Sequence, residues 1–87
     1  MQNSAFVAAF DALPMGTFYG TAHNRRYVVT RSRVANGRGD KLVADALDGS
    51  DYISLNLYRL GNGPLLKPCE MPQAKVVAFV LDLQPTP

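Results

Sequence analysis

Apolar and polar residues alternate without a break from Tyr52 to Leu60, and this stretch carries the clearest structural signal in the chain. Ile53, Leu55 and Leu57 fall on one side of an extended strand. Because side chains of a strand alternate with period two, the stretch predicts a half-buried strand with Leu55 at the centre of the core. The residues predicted for its wet side are Tyr52, Ser54, Asn56 and Tyr58.

The first third of the chain predicts a helix followed by a β-hairpin. Phe6, Phe10 and Leu13 recur at helical spacing after a capping serine, which predicts a helix over residues 4–13. Strands are predicted over residues 17–22 and 25–34, with His23-Asn24 as the turn between them. Gly20 inside the first strand indicates a bulge or a close backbone approach.

The rest of the chain predicts a second helix and two further strands. Asp40 fits the N-cap of a short helix over residues 41–47, and Gly49 fits a left-handed residue at its end. Residues 65–70 predict a short edge strand, weakened by Pro68. The apolar run over residues 75–83 predicts a strand covered on both faces, and residues 84–87 predict a frayed tail.

These elements predict one α+β domain over residues 1–83. The expected architecture is a mostly antiparallel sheet of four or five strands with two helices, in the order α-β-β-α-β-β-β. A partly closed barrel is the alternative, because Gly20 could bend a strand. A chain of 87 residues is long enough for one small core and too short for two.

Basic residues are concentrated in one part of the chain. Residues 25–41 hold six of the nine arginine and lysine side chains and one acid, Asp40, whereas the net charge of the whole chain is only +2. The apolar fraction of 47% is typical of a globular protein. No long apolar run or secretory signal is visible, so we expect a cytoplasmic protein without a membrane segment.

The sequence contains no metal-binding or catalytic motif. With a single cysteine, Cys69, and a single histidine, His23, it predicts neither an internal disulfide nor a zinc site, and no cofactor is expected. A Cys69–His23 nucleophile and base pair is the one enzymatic hypothesis that these residues allow. The simpler interpretation is a small packed cysteine and a histidine in a turn.

A surface is the remaining functional candidate. If Tyr27, Arg31 and Arg33 share an exposed sheet face with Tyr52, Asn56 and Tyr58, rings and guanidinium groups form one platform, with Arg38 in the adjoining loop. Such a platform suits single-stranded nucleic acid, whose bases stack on rings and whose phosphates attract cations. The leading hypothesis is an interaction module that binds a protein or a second copy of itself, and nucleic-acid binding is the alternative.

Two segments of the chain resemble small conserved proteins of Burkholderia-like bacteria. The first is Lys41-Leu-Val-Ala-Asp-Ala-Leu-Asp-Gly-Ser-Asp-Tyr-Ile-Ser-Leu-Asn-Leu-Tyr58, and the second is Leu66-Lys-Pro-Cys-Glu-Met-Pro72. The resemblance implies a bacterial source. It implies no activity, because those proteins have no assigned function.

Overall fold

The computed structural model describes residues 4–87 and shows an antiparallel sheet with two helices on one face. The first helix, α1, spans Ser4–Asp11 and the second, α2, spans Gln73–Asp82. The strands are β1 Gly16–Ala22, β2 Arg25–Val34, β3 Gly39–Ala46, β4 Tyr52–Leu60, β5 Gly63–Pro68 and β6 Gln84–Pro85. Their order across the sheet is β5-β4-β3-β2-β1-β6, and every neighbouring pair is antiparallel.

The predicted α+β class and antiparallel sheet are confirmed, but the number and order of the elements differ. The sheet has six strands rather than four or five, and the order is α-β-β-β-β-β-α-β apart from a short 3₁₀ turn, Ala35–Gly37. The sheet is open, since its outermost strands, β5 and β6, do not pair with one another in the described part of the chain. Residues 1–3 of the predicted domain lie outside the described residues.

The two helices lie against the core side of the sheet. Phe6 and Phe10 of α1 and Val76, Phe79 and Val80 of α2 are buried. The Phe79 ring meets the Tyr27 ring edge to face, with centroids 4.8 Å apart. The strand residues in this core share one sheet face and are Ala22, Tyr27, Val29, Leu42, Ala44, Ala46, Ile53, Leu55, Leu57 and Leu66.

Alternation in β4 separates its residues into the two predicted faces, but Ser54, which was predicted for the wet side, is only 3% exposed. Ile53, Leu55 and Leu57 are at most 1% exposed, and Leu55 is fully buried, whereas Tyr52 on the other face is 47% exposed. The predicted turn at His23-Asn24 is also present. Both residues have positive φ, 50° and 63°, which gives the twist that a two-residue hairpin loop requires.

The helix predicted over residues 41–47 is wrong, because this segment is strand β3. Leu42, Ala44 and Ala46 face the core, while the residues between them face the other way. Leucine, alanine and lysine suit a helix when considered locally. Pairing with β2 on one side and β4 on the other satisfies the backbone of β3 along its length and overrides that preference.

The strand predicted over residues 75–83 is also wrong, because the segment forms α2. Val76, Phe79 and Val80 are buried and Leu83 follows as a fourth contact, which is the i, i+3, i+4, i+7 pattern of a helix on a sheet. Its β-branched and aromatic residues suggested a strand, but Lys75 and Leu81 are exposed on the outer side of the helix.

The tail expected to fray pairs with the sheet instead. Gln84 and Pro85 pair with Thr21 and Gly20 of β1, and the Thr86 N–H donates to the Tyr19 carbonyl. Gly20 is the close approach that the sequence indicated. A Cβ atom there would lie 2.8 Å from Leu83 Cδ1 and 3.1 Å from the Gln84 carbonyl oxygen, so a larger residue would require the end of the Leu83 side chain to move and the backbone at Gln84 to shift slightly.

Candidate functional site

One face of the sheet is left uncovered by the helices, and we call it the open face. It consists of alternate residues of the five long strands, because cross-strand partners in an antiparallel sheet share a face. Its members are Thr17, Tyr19 and Thr21; Arg26, Val28, Thr30, Ser32 and Val34; Gly39, Lys41, Val43 and Asp45; Tyr52, Ser54, Asn56, Tyr58 and Leu60; and Gly63, Leu65 and Lys67.

The structure divides the residues that the sequence placed on one platform. Tyr52, Asn56 and Tyr58 lie on the open face, but Tyr27 and Arg31 are buried on the helix side, 0% and 6% exposed. The predicted common face is therefore wrong. The remaining two residues lie elsewhere: Arg33 is exposed at a helix-side position and Arg38 is exposed in the loop before β3.

Arg31 is buried because it connects α1 to the sheet. Its Nε and Nη2 atoms lie 2.7 and 2.6 Å from Oδ2 of Asp40, which is fully buried. Its Nη1 atom donates to the carbonyls of Phe10 and Leu13 at 2.9 and 2.7 Å. Carbonyls at the end of a helix have no partner within the helix, so Arg31 supplies one. Asp40 is thus a buried counter-charge and not the helix cap that the sequence indicated.

Tyr27 belongs to a second network at the opposite end of the sheet. Its hydroxyl donates to Asp51 Oδ2 at 2.8 Å, and Lys75 Nζ lies 2.9 Å from Asp51 Oδ1. Lys75 is the main reason that the pKa of Asp51 falls to about 2, with the Tyr27 hydroxyl as a further donor. Burial raises the pKa of Tyr27, which keeps its hydroxyl protonated as a donor.

The free energy of unfolding is expected to fall at low pH because of Asp51. A pKa lowered from 3.8 to about 2 corresponds to about 2 kcal/mol, fully present above pH 4 and lost as the pH falls through 2. The stability difference between wild type and Asp51→Asn should therefore shrink by more than half between about pH 5 and about pH 2.5. Urea midpoints at the two pH values measure this, and an unchanged difference would contradict the assignment.

Charge is distributed unequally between the two sides of the sheet. On the helix side, basic side chains lie within 4.0 Å of a carboxylate: Arg25, Arg31, Arg33, Arg59 and Lys75. On the open face, Arg26, Lys41 and Lys67 have no such partner among residues 4–87. Asp45 is the one acidic residue at an open-face position in the strands described. The open face is therefore a net cationic surface.

Three of the four tyrosines also lie on the open face. Tyr19 and Tyr52 are 52% and 47% exposed, and they stand in one row across the sheet, separated by Val28 and Asp45. Tyr58 is half-buried, because its ring lies over Gly39, where a Cβ atom would come within 2.7 Å of the ring. Sequence reasoning missed Tyr19 and Lys67 as members of this surface, and it recognised Arg26 and Lys41 only as part of the basic segment 25–41. Their alternation with core residues was the signal, but it required the correct strands.

The sheet edges offer little to a partner strand. β5 forms one edge and has proline at two of its six positions, Pro64 and Pro68. The other edge carries β6, which is two residues long and contains Pro85. Proline has no N–H to donate to a neighbouring strand, so β5 and β6 are poor templates for strand addition, although among residues 4–87 β6 pairs only with Gly20 and Thr21 and does not cover the start of β1.

A shallow cleft of about 460 Å³ lies where β4 begins. Three carboxylates and one ammonium group line it, which makes it unsuitable for an anion. Tyr52 stands at the boundary between this acidic cleft and the open face. The lining residues are Asp45, Ala46, Gly49, Ser50, Asp51, Tyr52, Glu70, Met71 and Lys75.

Cys69 and His23 cannot form a nucleophile and base pair. Cys69 follows β5, where its N–H donates to the Ser54 carbonyl, and its side chain is half-buried. His23 lies in the β1–β2 turn, 3.6 Å from Asp82. β5 and β1 are separated by four strand spacings, roughly 19 Å. This distance is too large for proton transfer between the two side chains.

Comparison with known proteins gives no family for this chain. It matches no protein-family model, no curated protein and no solved structure. None of the helices within residues 4–87 is long and apolar enough to cross a membrane. The geometry and charge of the open face are therefore the features from which a function can be inferred.

Proposed function

We propose that this protein is a small binding module that holds single-stranded nucleic acid on the open face of its sheet. One observation carries the proposal: the uncovered face holds three of the four arginine and lysine side chains that have no carboxylate partner among residues 4–87, together with three tyrosines, while the fourth, Arg38, lies in the loop before β3. Arg26, Lys41 and Lys67 supply positive charge, and Tyr19 and Tyr52 supply exposed rings. Unpaired bases stack on such rings, and phosphates attract such cations.

The sequence also led us to expect a protein partner or a second copy of the chain. A symmetric dimer through the open face would bring two surfaces of the same sign together and desolvate Arg26, Lys41 and Lys67. A dimer through the sheet edges would need N–H donors that Pro64, Pro68 and Pro85 do not have. A polyanion fits the face better than a second copy does.

Binding is expected to weaken with salt. Each phosphate neutralised on a single strand contributes a slope of about −0.7 in log affinity against log salt, so three cations give a slope of about −2. Fluorescence anisotropy with a short random single-stranded oligonucleotide, titrated from about 50 mM salt upwards, measures it. Arg26→Gln should reduce the slope by about 0.7.

Lys75→Gln is the matched control. It removes one positive charge from the opposite side of the sheet, where Lys75 is paired with Asp51, and should leave the slope unchanged. Light scattering on the same samples reports the mass of the free protein. No binding at about 50 mM salt would reject the proposal, and the mass of a dimer would then favour self-association.

A further inference from the structure

One row of side chains across the open face contains two lysines with an asparagine between them, an arrangement that could bind a ligand. Asn56 on β4 pairs with Lys41 on β3 and with Lys67 on β5. Because neighbouring strands lie about 4.8 Å apart, the Cα atoms of the two lysines are about 10 Å from one another, and Asn56 lies midway between them. We call these three residues the lysine row.

No acidic residue in the neighbouring rows of the open face neutralises the two lysines. The neighbouring row on one side contains Gly39, Tyr58 and Leu65. On the other side the row contains Val43 and Ser54, beside Cys69. None of these residues is acidic, and neither lysine lies within 4.0 Å of a carboxylate in the part of the chain described. A nucleotide whose base lies over Asn56 would have its flanking phosphates within reach of the two ammonium groups.

Asn56 has an unmet hydrogen-bonding need. Its Oδ1 atom is buried and has no hydrogen-bond partner among residues 4–87. Buried acceptors without a partner are rare in native proteins, since each costs about as much as a lost hydrogen bond. A carboxamide has both a donor and an acceptor, and it can pair with the edge of a nucleobase, adenine above all.

Tyr58 provides a ring beside the lysine row. It is two residues from Asn56 on the same strand and face, about 7 Å away along the strand. Its ring lies over Gly39, which holds one side of it against the sheet. A base stacked on Tyr58 would direct its edge towards Asn56.

From this arrangement we infer that the lysine row is a nucleotide subsite. A base stacks on Tyr58 and, once the side chains that cover Asn56 Oδ1 move aside, pairs with the carboxamide of Asn56, while the flanking phosphates are held by Lys41 and Lys67. The inference rests on the proposed function and specifies which side chains read the base and which hold the backbone. It predicts a preference for adenine, because asparagine makes its paired hydrogen bonds with that base.

The test distinguishes contacts to the nucleobase from contacts to the phosphates. Oligo(dA) should bind at least about fivefold more tightly than oligo(dT), and Asn56→Ala should remove this preference while leaving the salt slope unchanged. The double variant Lys41→Gln/Lys67→Gln should reduce the slope by about 1.4 and keep the preference. Lys75→Gln should change neither quantity, and urea midpoints confirm that each variant is folded.

The outcomes also separate this inference from the proposed function. If wild-type protein binds no oligonucleotide, both fail. If it binds, but Asn56→Ala keeps the adenine preference and the lysine variant keeps the slope, only the subsite is wrong and the strand lies elsewhere on the open face. Adenosine monophosphate that binds as tightly as oligo(dA) would overturn strand binding and indicate a site for free nucleotides.

Discussion

Arg31→Met is expected to destabilise the protein by about 3–5 kcal/mol. The substitution leaves the fully buried carboxylate of Asp40 without its closest cation and removes the donor to the carbonyls of Phe10 and Leu13. Asp40 then keeps only the longer contacts to Arg59 Nη1 at 3.3 Å and Arg33 Nε at 3.6 Å, from side chains that are 38% and 59% exposed. A buried carboxylate so weakly paired is costly, because water no longer solvates it. The loss is a large part of the roughly 5–15 kcal/mol that holds a small domain together. Urea unfolding measures it.

Arg33→Met is the control for Arg31→Met. Arg33 Nε lies 3.6 Å from Asp40 Oδ1, but 59% of its side chain is exposed, so its removal should cost under about 1 kcal/mol. The double variant Arg31→Met/Asp40→Leu removes both buried charges and should recover much of the stability lost in Arg31→Met. Equal midpoint shifts for the two single variants would show that the Arg31–Asp40 pair is not the buried connection between α1 and the sheet.

Leu55→Ala is expected to cost about 2–5 kcal/mol in unfolding free energy. Leu55 is fully buried in the middle of β4, so the substitution removes apolar packing and leaves a cavity. Asn56→Ala, one residue further on the open face, should change stability by less than about 1 kcal/mol. It removes a buried acceptor that had no partner, and this gain offsets the weaker packing of the smaller side chain.

The comparison of these two variants also bears on function. Urea midpoints shifted equally would contradict the assignment of the two faces of β4. If Asn56→Ala is as stable as wild type and yet loses the adenine preference, Asn56 is retained for binding rather than for folding. Such a residue is typical of a functional surface, where side chains that bind a ligand often reduce the stability of the fold.

The parts of the fold that could be predicted are those where local pattern and tertiary context agree. β4 is one case, because its alternation matches its position between two other strands. The predictions for β3 and α2 failed for opposite reasons. Residues in β3 favour a helix in isolation but are paired on both sides, and α2 contains β-branched residues yet must cover the sheet. Whether such a segment becomes a helix or a strand depends on which part of the sheet the other strands leave uncovered. A short stretch of sequence does not contain that information.

The prediction of the candidate site failed at a different step. Alternation correctly placed Tyr27, Val29 and Arg31 on one side of β2 and the residues at even positions on the other, but it did not say which side faces the core. Two arginines in β2 suggested a wet face, whereas Asp40 neutralises Arg31 inside the protein. The position of Asp40 as the one acid within residues 25–41 was a signal for this pair. A helix cap is the natural role for Asp40 only if the residues after it form a helix, and they form β3 instead.

The prolines at the sheet edges have a consequence for the behaviour of the protein at high concentration. An uncovered sheet with free edges can grow from one molecule to the next by backbone pairing, which is the route to filaments. Here Pro64, Pro68 and Pro85 interrupt that route while the side chains of the open face stay accessible. The chain can therefore present exposed open-face side chains such as Tyr19 and Tyr52 while its proline-containing edge strands resist backbone pairing between molecules.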